Sequence, residues 1–192
     1  MSPDVPRRSD ATRAAILRAA RARFAADGYQ RATIRAIAAD AAIDPSMVMR
    51  YYGSKAGLFA AAVDVDLRLP DVGGIPPERL GAELVRHFLR RWEDSAAEDD
   101  ALLTLLRSAA TDEDAAQRLR GVFREQVQPV ALRLAGGDPD KAGRRAGLVA
   151  TQLLGLALCR HILRLPPVAA LSAETIVEEI GPTVQRYLTG AR

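Results

Sequence analysis

Apolar residues recur three and four positions apart along most of the chain, the spacing that lines one face of a helix. Ile16, Leu17, Ala20 and Phe24 share such a face. They predict a first helix from about Asp10 to Asp27, capped by Ser9 or Asp10 and ended by Gly28. Thr33 caps a short helix holding Ile34, Ile37, Ala38 and Ala41. Asp44 caps another, with Pro45 at the first helical position, where a missing N–H is not needed. That helix ends at Gly53, and Ser54 caps a longer one carrying Leu58, Phe59, Ala62, Val63 and Leu67.

Pro70 to Pro77, with Gly73 and Gly74 inside, reads as a linker. Beyond it, Leu80, Leu84, Val85, Phe88, Leu89 and Trp92 form an amphipathic stripe. A short buried helix with Leu102, Leu103, Leu105 and Leu106 follows the acidic turn 98–100. Asp112 caps the next helix, kinked by Pro129 and stopped by Gly136 and Gly137. Asp138-Pro139 opens a long helix to about Leu165, apolar on most sides between Leu148 and Ile162, so it needs cover on several faces. Ser172 caps the last helix, with Pro182 inside it. The expected fold is all-α, with about nine helices: a basic arm (1–9), a head of short, tightly joined helices with its connecting helix (10–69) and a helical body (70–192).

Composition supports a helical globular protein: 48% of residues are hydrophobic and only 5% aromatic. The net charge of +3 is unevenly spread, with +5 on residues 1–60 and −2 on the rest. A basic first third fits either contact with a polyanion or a solvated arginine-rich helix face. The single cysteine, Cys159, allows no intramolecular disulfide. The polar start and the lack of an apolar run of about 20 residues lead us to expect a soluble, cytoplasmic protein with no membrane partner.

The informative segment is Thr33 to Phe59, TIRAIAADAAIDPSMVMRYYGSKAGLF. Two short helices meet at a tight turn near Ala41-Ala42-Ile43-Asp44. Ile37, Ala38, Ile43 and Val48 can pack the pair, and the small Ala38 and Ala42 allow close approach. This is a helix-turn-helix, whose second helix enters the major groove by its N-terminal residues. The segment resembles the TetR-type regulators in Thr33, Ile37-Ala38, Ala41-Ala42-Ile43, Met49-Arg50-Tyr51-Tyr52, Lys55 and Leu58-Phe59, with matching spacing. Phe24, Gly28 and Tyr29 ahead of it also look like that family. Ala42 stands where the family has glycine, so it must adopt the turn's backbone geometry with a Cβ. Met49 and Tyr51 stand where the family has tyrosine and histidine.

The resemblance implies a ligand-responsive repressor that binds a palindromic operator as a dimer. At a helix N-terminus, Thr33 can cap the helix and hold a phosphate. Arg35 matches a position that reads base edges in relatives, and a guanidinium can pair with guanine. Asp44, Pro45, Ser46, Met47, Met49 and Arg50 bound the exposed side of the reading helix. Ser46 suits a base or phosphate, and Met47 or Met49 a thymine methyl. Val48 and Tyr52 face the core, and Met49 fits either surface. Tyr51 and Lys55 are phosphate candidates. Arg7, Arg8 and Arg13 fit further DNA contacts or an idle arm equally well.

In the body, the resemblance implies an effector pocket among the middle helices, for which Phe88, Trp92, Leu103, Leu106, Phe123 and Val127 are candidates; each also suits plain core packing. It implies a four-helix interface with a second copy. Val149, Leu153, Leu154, Leu156, Leu158 and Ile162, with Val177, Ile180 and Val184, are the candidate interface, the alternative being a buried centre of one chain. His87 and His161 are isolated, and Cys159 with His161 does not make a metal site. No Ser-His-Asp spacing, phosphate loop, HExxH or metal cluster is seen, so neither an enzyme nor a cofactor is expected. The competing reading is a helical interaction adaptor whose helix-turn-helix no longer binds DNA.

Overall fold

The computed structural model describes residues 8–94 and 100–190. In chain order its α-helices are α1 (Arg8–Arg31), α2 (Ile34–Asp40), α3 (Pro45–Tyr52), α4 (Lys55–Ala62), α5 (Leu80–Asp94), α6 (Ala101–Ala109), α7 (Glu113–Val122), α8 (Gln128–Leu134), α9 (Pro139–Ala157), α10 (Pro166–Ala169) and α11 (Ala173–Thr189). A π turn, Phe123–Val127, joins α7 to α8, and a second, Leu158–Ile162, continues α9. Taking α7 to α8 as one rod and setting aside the single turn α10, the described residues form nine helices and no strand. The fold is all-α, as the periodicity predicts.

Most boundaries follow from local chemistry. Asp44, Ser54, Asp112, Asp138 and Ser172 each accept a hydrogen bond from a backbone N–H two or three residues on. Each thereby satisfies one of the N–H groups a helix start leaves unpaired. Gly28, at φ 75, breaks α1 where the sequence ends it, and a further turn follows to Arg31. The expected basic arm lies outside the described residues except for Arg8 and Ser9, which already belong to α1. The helix starts earlier than expected because nothing from Arg8 to Asp10 breaks it, and Asp10 in the first turn suits its dipole. The π turn sits just ahead of Pro129, which has no N–H to bond the carbonyl four residues back.

One prediction fails. The helix after Ser54 ends at Ala62, with Val63 as its C-cap, rather than running to Leu67 or beyond. Residues 63–69 read Val-Asp-Val-Asp-Leu-Arg-Leu, an alternation that suits an extended chain. Val63, Val65 and Leu67 are 0, 4 and 4% exposed, while Asp64, Asp66 and Arg68 face solvent. A helix turns about 100° per residue and cannot bury all three of those side chains on one stripe.

The described residues group into two compact units. Those within 1–65 and 98–116 form the first; those within 66–97 and 117–192 form the second. The separation at 65/66 falls inside the expected connecting helix, and α6, expected in the body, groups with the head because it packs along α1.

In the first unit, α1 lies against α2, α4 and α6. Ile16, Ala20 and Phe24 of α1 meet Ile37, Val48, Leu58 and Phe59 in a common core, each side chain buried. Full burial of one such large side chain contributes about 1.5–3 kcal/mol. Phe24, Tyr29 and Phe59 form an aromatic knot, with ring centroids 5.0 Å apart for Phe24–Phe59 and 4.9 Å for Tyr29–Phe59. Buried Asp100 caps α6 through the N–H groups of Leu102 and Leu103.

In the second unit, the tightest pairing is α5 against α11. Gly81 and Gly181 let the two backbones touch: a Cβ on Gly81 would stand 2.4 Å from the Gly181 carbonyl oxygen. Gln185 of α11 serves the start of α5, accepting from the Gly81 N–H at 2.8 Å and donating to the Pro77 carbonyl at 2.7 Å. α9 packs between α8 and α11. The Arg160 guanidinium donates to the carbonyls of Val168 and Leu171, which fixes the turn α10.

Candidate nucleic-acid interface

The helix pair α2 and α3 is set by its two caps and the turn between them. Thr33 sits in extended conformation ahead of α2, and its hydroxyl oxygen accepts from the Ala36 N–H at 3.1 Å. The turn closes through Ala42 N–H to the Ala39 carbonyl, 3.1 Å, and Ile43 N–H to the Ala38 carbonyl, 2.9 Å. Ala42 stands at φ 53, the left-handed region where glycine is at home. The geometry anticipated for a turn that normally carries glycine is thus realised, with a Cβ in place. Asp44 then caps α3, accepting from both the N–H and the hydroxyl of Ser46. These two bonds hold its carboxyl below the ordinary carboxylate range.

With Val48 buried, α3 turns Pro45, Ser46, Met49 and Arg50 outward, and Met47 is half-buried. Met49, which fitted either surface, is exposed. Ser46 spends its proton on Asp44, so in this state its hydroxyl offers only acceptor capacity. Thr33 is the reverse case: its oxygen accepts in the cap, and its proton is left for a donor bond. Arg35 and Arg50 are exposed, and no described residue engages either guanidinium.

Tyr51 and Tyr52 close the C-terminal end of α3. The Arg13 guanidinium of α1 lies over the Tyr51 ring, 5.2 Å from its centroid. Tyr52 is half-buried; burial pushes its hydroxyl pKa up, and its oxygen lies 3.5 Å from the Arg13 carbonyl. Lys55 is more committed than the sequence suggests. Its Nζ donates to the Gln30 carbonyl at 3.0 Å and stands 4.7 Å from the Tyr29 ring centroid. An ammonium has three donors, so two stay available for a phosphate. Gly57 lets α4 start beneath α3, since a Cβ there would meet the Tyr52 carbonyl oxygen at 2.2 Å.

The structure brings Thr33, Arg35, Asp44, Pro45, Ser46, Met49, Arg50, Tyr51 and Lys55 into one helix pair and its flanks. Three supports escaped the sequence reading. Arg23 of α1 forms a two-pronged ion pair with Asp40 at the end of α2 and also reaches Asp27. The bond from Arg23 holds the Asp40 carboxyl below its ordinary range. Arg21 donates to the Ala62 carbonyl at 2.8 Å, closing the end of α4. Arg13 stacks on Tyr51. Apart from Arg23–Asp27, these pairs lie 17 to 41 residues apart, where no periodicity reports them.

The candidate body residues divide. Leu103, buried, and Leu106, half-buried, sit on α6 in the first unit. Phe88 and Trp92 are buried on α5 in the second, 5.8 Å apart, with His161 5.1 Å from Trp92. Phe123 and Val127 end the π turn and are half-buried. Of the candidate interface residues, Val149, Leu153, Leu156, Val177 and Val184 are buried within the chain's own fold. Leu154, Ile162 and Ile180 are half-buried, and Leu158 is exposed. The outward stripe of α9 and of the π turn that continues it is Gly147, Leu148, Thr151, Gly155 and Leu158. A Cβ on Gly147 or Gly155 would meet nothing within 4 Å, and Leu148 and Leu158 are 41 and 39% exposed. Among the described residues no cluster of potential metal ligands occurs, and no helix is long and apolar enough to cross a membrane.

Residues 16–62 match the family model described as bacterial regulatory proteins, tetR family, and residues 78–188 match the tetracyclin repressor-like C-terminal domain. Among solved structures, the chain is similar to a TetR-family regulator from Streptomyces coelicolor A3. Identity is 32%, with 97% of this chain and 99% of that chain covered and a TM-score of 0.59. No curated protein matches the chain.

Proposed function

The chain belongs to the TetR family of DNA-binding transcriptional regulators, and from that premise we propose that it is a ligand-responsive repressor binding a palindromic operator as a dimer. The observation that carries the DNA half of this reading is the helix pair itself. A short helix with one buried valine turns Ser46, Met49 and Arg50 to solvent, flanked by Thr33, Arg35, Tyr51 and Lys55. Arg35 and Arg50 reach base edges, Met49 packs on thymine methyls, and Thr33, Tyr51 and Lys55 hold phosphates. Asp44 orients the helix as its cap rather than touching the polyanion, because a carboxylate held ionised repels phosphate. Regulators of this family are generally not enzymes, and we read the chain as one without turnover.

Self-association uses the outward stripe of α9, with Leu148 and Leu158 as its apolar anchors and Gly147, Thr151 and Gly155 leaving room for a second backbone. Two heads in one particle match the two half-sites of a palindrome. The effector is a small molecule held among the middle helices, and it acts through its unequal affinity for DNA-competent and incompetent states.

Selection of fragments from a random or genomic DNA pool tests the reading, with an Arg50→Ala plus Tyr51→Ala variant alongside. A palindrome enriched by the native chain, lost in the variant and weakened by salt, is the expected result. No enrichment, or equal enrichment by both, would replace this reading with that of a helical adaptor.

A further inference from the structure

Residues 66–68 belong to the extended stretch between α4 and α5 and have no strand beside them, so their backbone groups need partners from elsewhere. Side chains supply them. The Leu67 N–H donates to Gln126 Oε1 at 2.8 Å, and the Leu67 carbonyl lies 3.0 Å from His87 Nε2. The Asp66 carbonyl accepts from Arg91 Nη1 at 2.7 Å. Asp66 Oδ1 accepts from the Arg68 N–H, and Arg68 stands at φ 48. Both backbone groups of one residue are thus held by side chains from two elements, α5 and the π turn, with the Leu67 side chain buried beneath them.

The three holding residues are immediate neighbours of candidate effector contacts. His87 precedes Phe88, Arg91 precedes Trp92 and Gln126 precedes Val127. Gln126 also sits in a π turn, where the extra residue rotates everything after it and a regular helix would aim position 126 elsewhere. We propose that His87, Arg91 and Gln126 are a clamp on the tether that carries the reading head, and that movement of α5 or the π turn reaches the head through the backbone of Asp66 and Leu67. The inference rests on the reading above for what the head does, but the clamp itself can be tested without DNA.

Arg18→Cys and Arg133→Cys, both at exposed positions, take a dye or spin-label pair in a Cys159→Ser background, diluted with unlabelled chain. The distance distribution is compared among the native clamp, His87→Phe with Gln126→Met, and Gln126→Glu. His87→Phe keeps the ring against Phe88, and Gln126→Glu keeps the acceptor for Leu67. The double variant is expected to widen the distribution at least about two-fold and to speed exchange of the Leu67 amide by about ten-fold or more; Gln126→Glu is expected to behave as the native clamp. The double variant should also lose discrimination between operators differing by one base pair in half-site spacing, which the native chain makes by about ten-fold or more and Gln126→Glu retains. Faster Leu67 exchange with an unchanged distance distribution overturns the clamp, and a wider distribution with unaltered spacing preference overturns its role in transmission. A native chain that selects no DNA removes the operator reading instead, and the distance measurement still decides the clamp.

Discussion

Ala42 is the residue on which the reading pair turns. An L-residue in the left-handed region costs about 1–2 kcal/mol, and glycine there escapes that cost while losing about 0.4–1 kcal/mol through its freer unfolded chain. Ala42→Gly is therefore expected to stabilise the fold by up to about 1 kcal/mol, a rise of about 2–4 °C in Tm for a chain of this size. A lower Tm in a thermal melt would show that the Cβ makes contacts worth more than the strain. Arg23 and Asp40 give a prediction in pH. Asp40 is held below its ordinary range by Arg23, so its contribution is full above the unfolded carboxylate value near about 3.9 and fades as pH falls through the lower folded one. Asp40→Asn should melt below the native chain at pH 7, with the difference shrinking as pH falls below about 4; a gap that acid left unchanged would assign the loss to something other than the ion pair. At this scale the caps were legible and the ion pair was not. Thr33, Asp44 and Ser172 bond to backbone within three residues, so their role is written locally. Arg23 meets Asp40 only after α1 and α2 have docked.

At the scale of elements, the pairing of α5 with α11 depends on Gly81 and Gly181. Because the added Cβ of Gly81→Ala would strike backbone, its cost should reach the upper end of the about 1–3 kcal/mol typical of overpacking. Denaturant melts that placed Gly81→Ala within about 0.5 kcal/mol of the native chain would mean that the helices can slide apart freely. Helix number and most helix starts could be read from the 3.6-residue period, because one buried face leaves that trace. Two features could not. The segment 63–69 carries apolar residues that fit a helix if only Val63 and Leu67 are counted, and fit a strand once Val65 is included. α9 is apolar nearly all round, so periodicity gave its existence and not its inner face; Val149, Leu153 and Leu156 went inward and Leu148 and Leu158 outward.

For the whole molecule, the outward stripe of α9 sets the expected assembly. Leu148→Glu with Leu158→Glu would place two carboxylates on each facing surface of a paired stripe, while adding little strain to a single chain in which both leucines are already exposed. Sedimentation should show a monomer, circular dichroism an unchanged helix content, and operator affinity a fall of about ten-fold or more as the two half-sites uncouple. A variant that still sediments as a dimer would move the interface to another face. The head was legible because its contacts are crowded into 27 residues, from Thr33 to Phe59, whereas the effector candidates are scattered over helices that the folded chain assigns to two compact units. The alternation of the tether has one more consequence, for its length. In an extended chain each residue advances about 3.3 Å and reverses the side, so parity matters as much as reach. Removing one residue between Val63 and Leu67 would send buried side chains to solvent and aspartates inward. Removing two would keep every side chain on its side and shorten the span by about 7 Å. Natural or engineered length changes in this stretch are therefore expected to come in pairs.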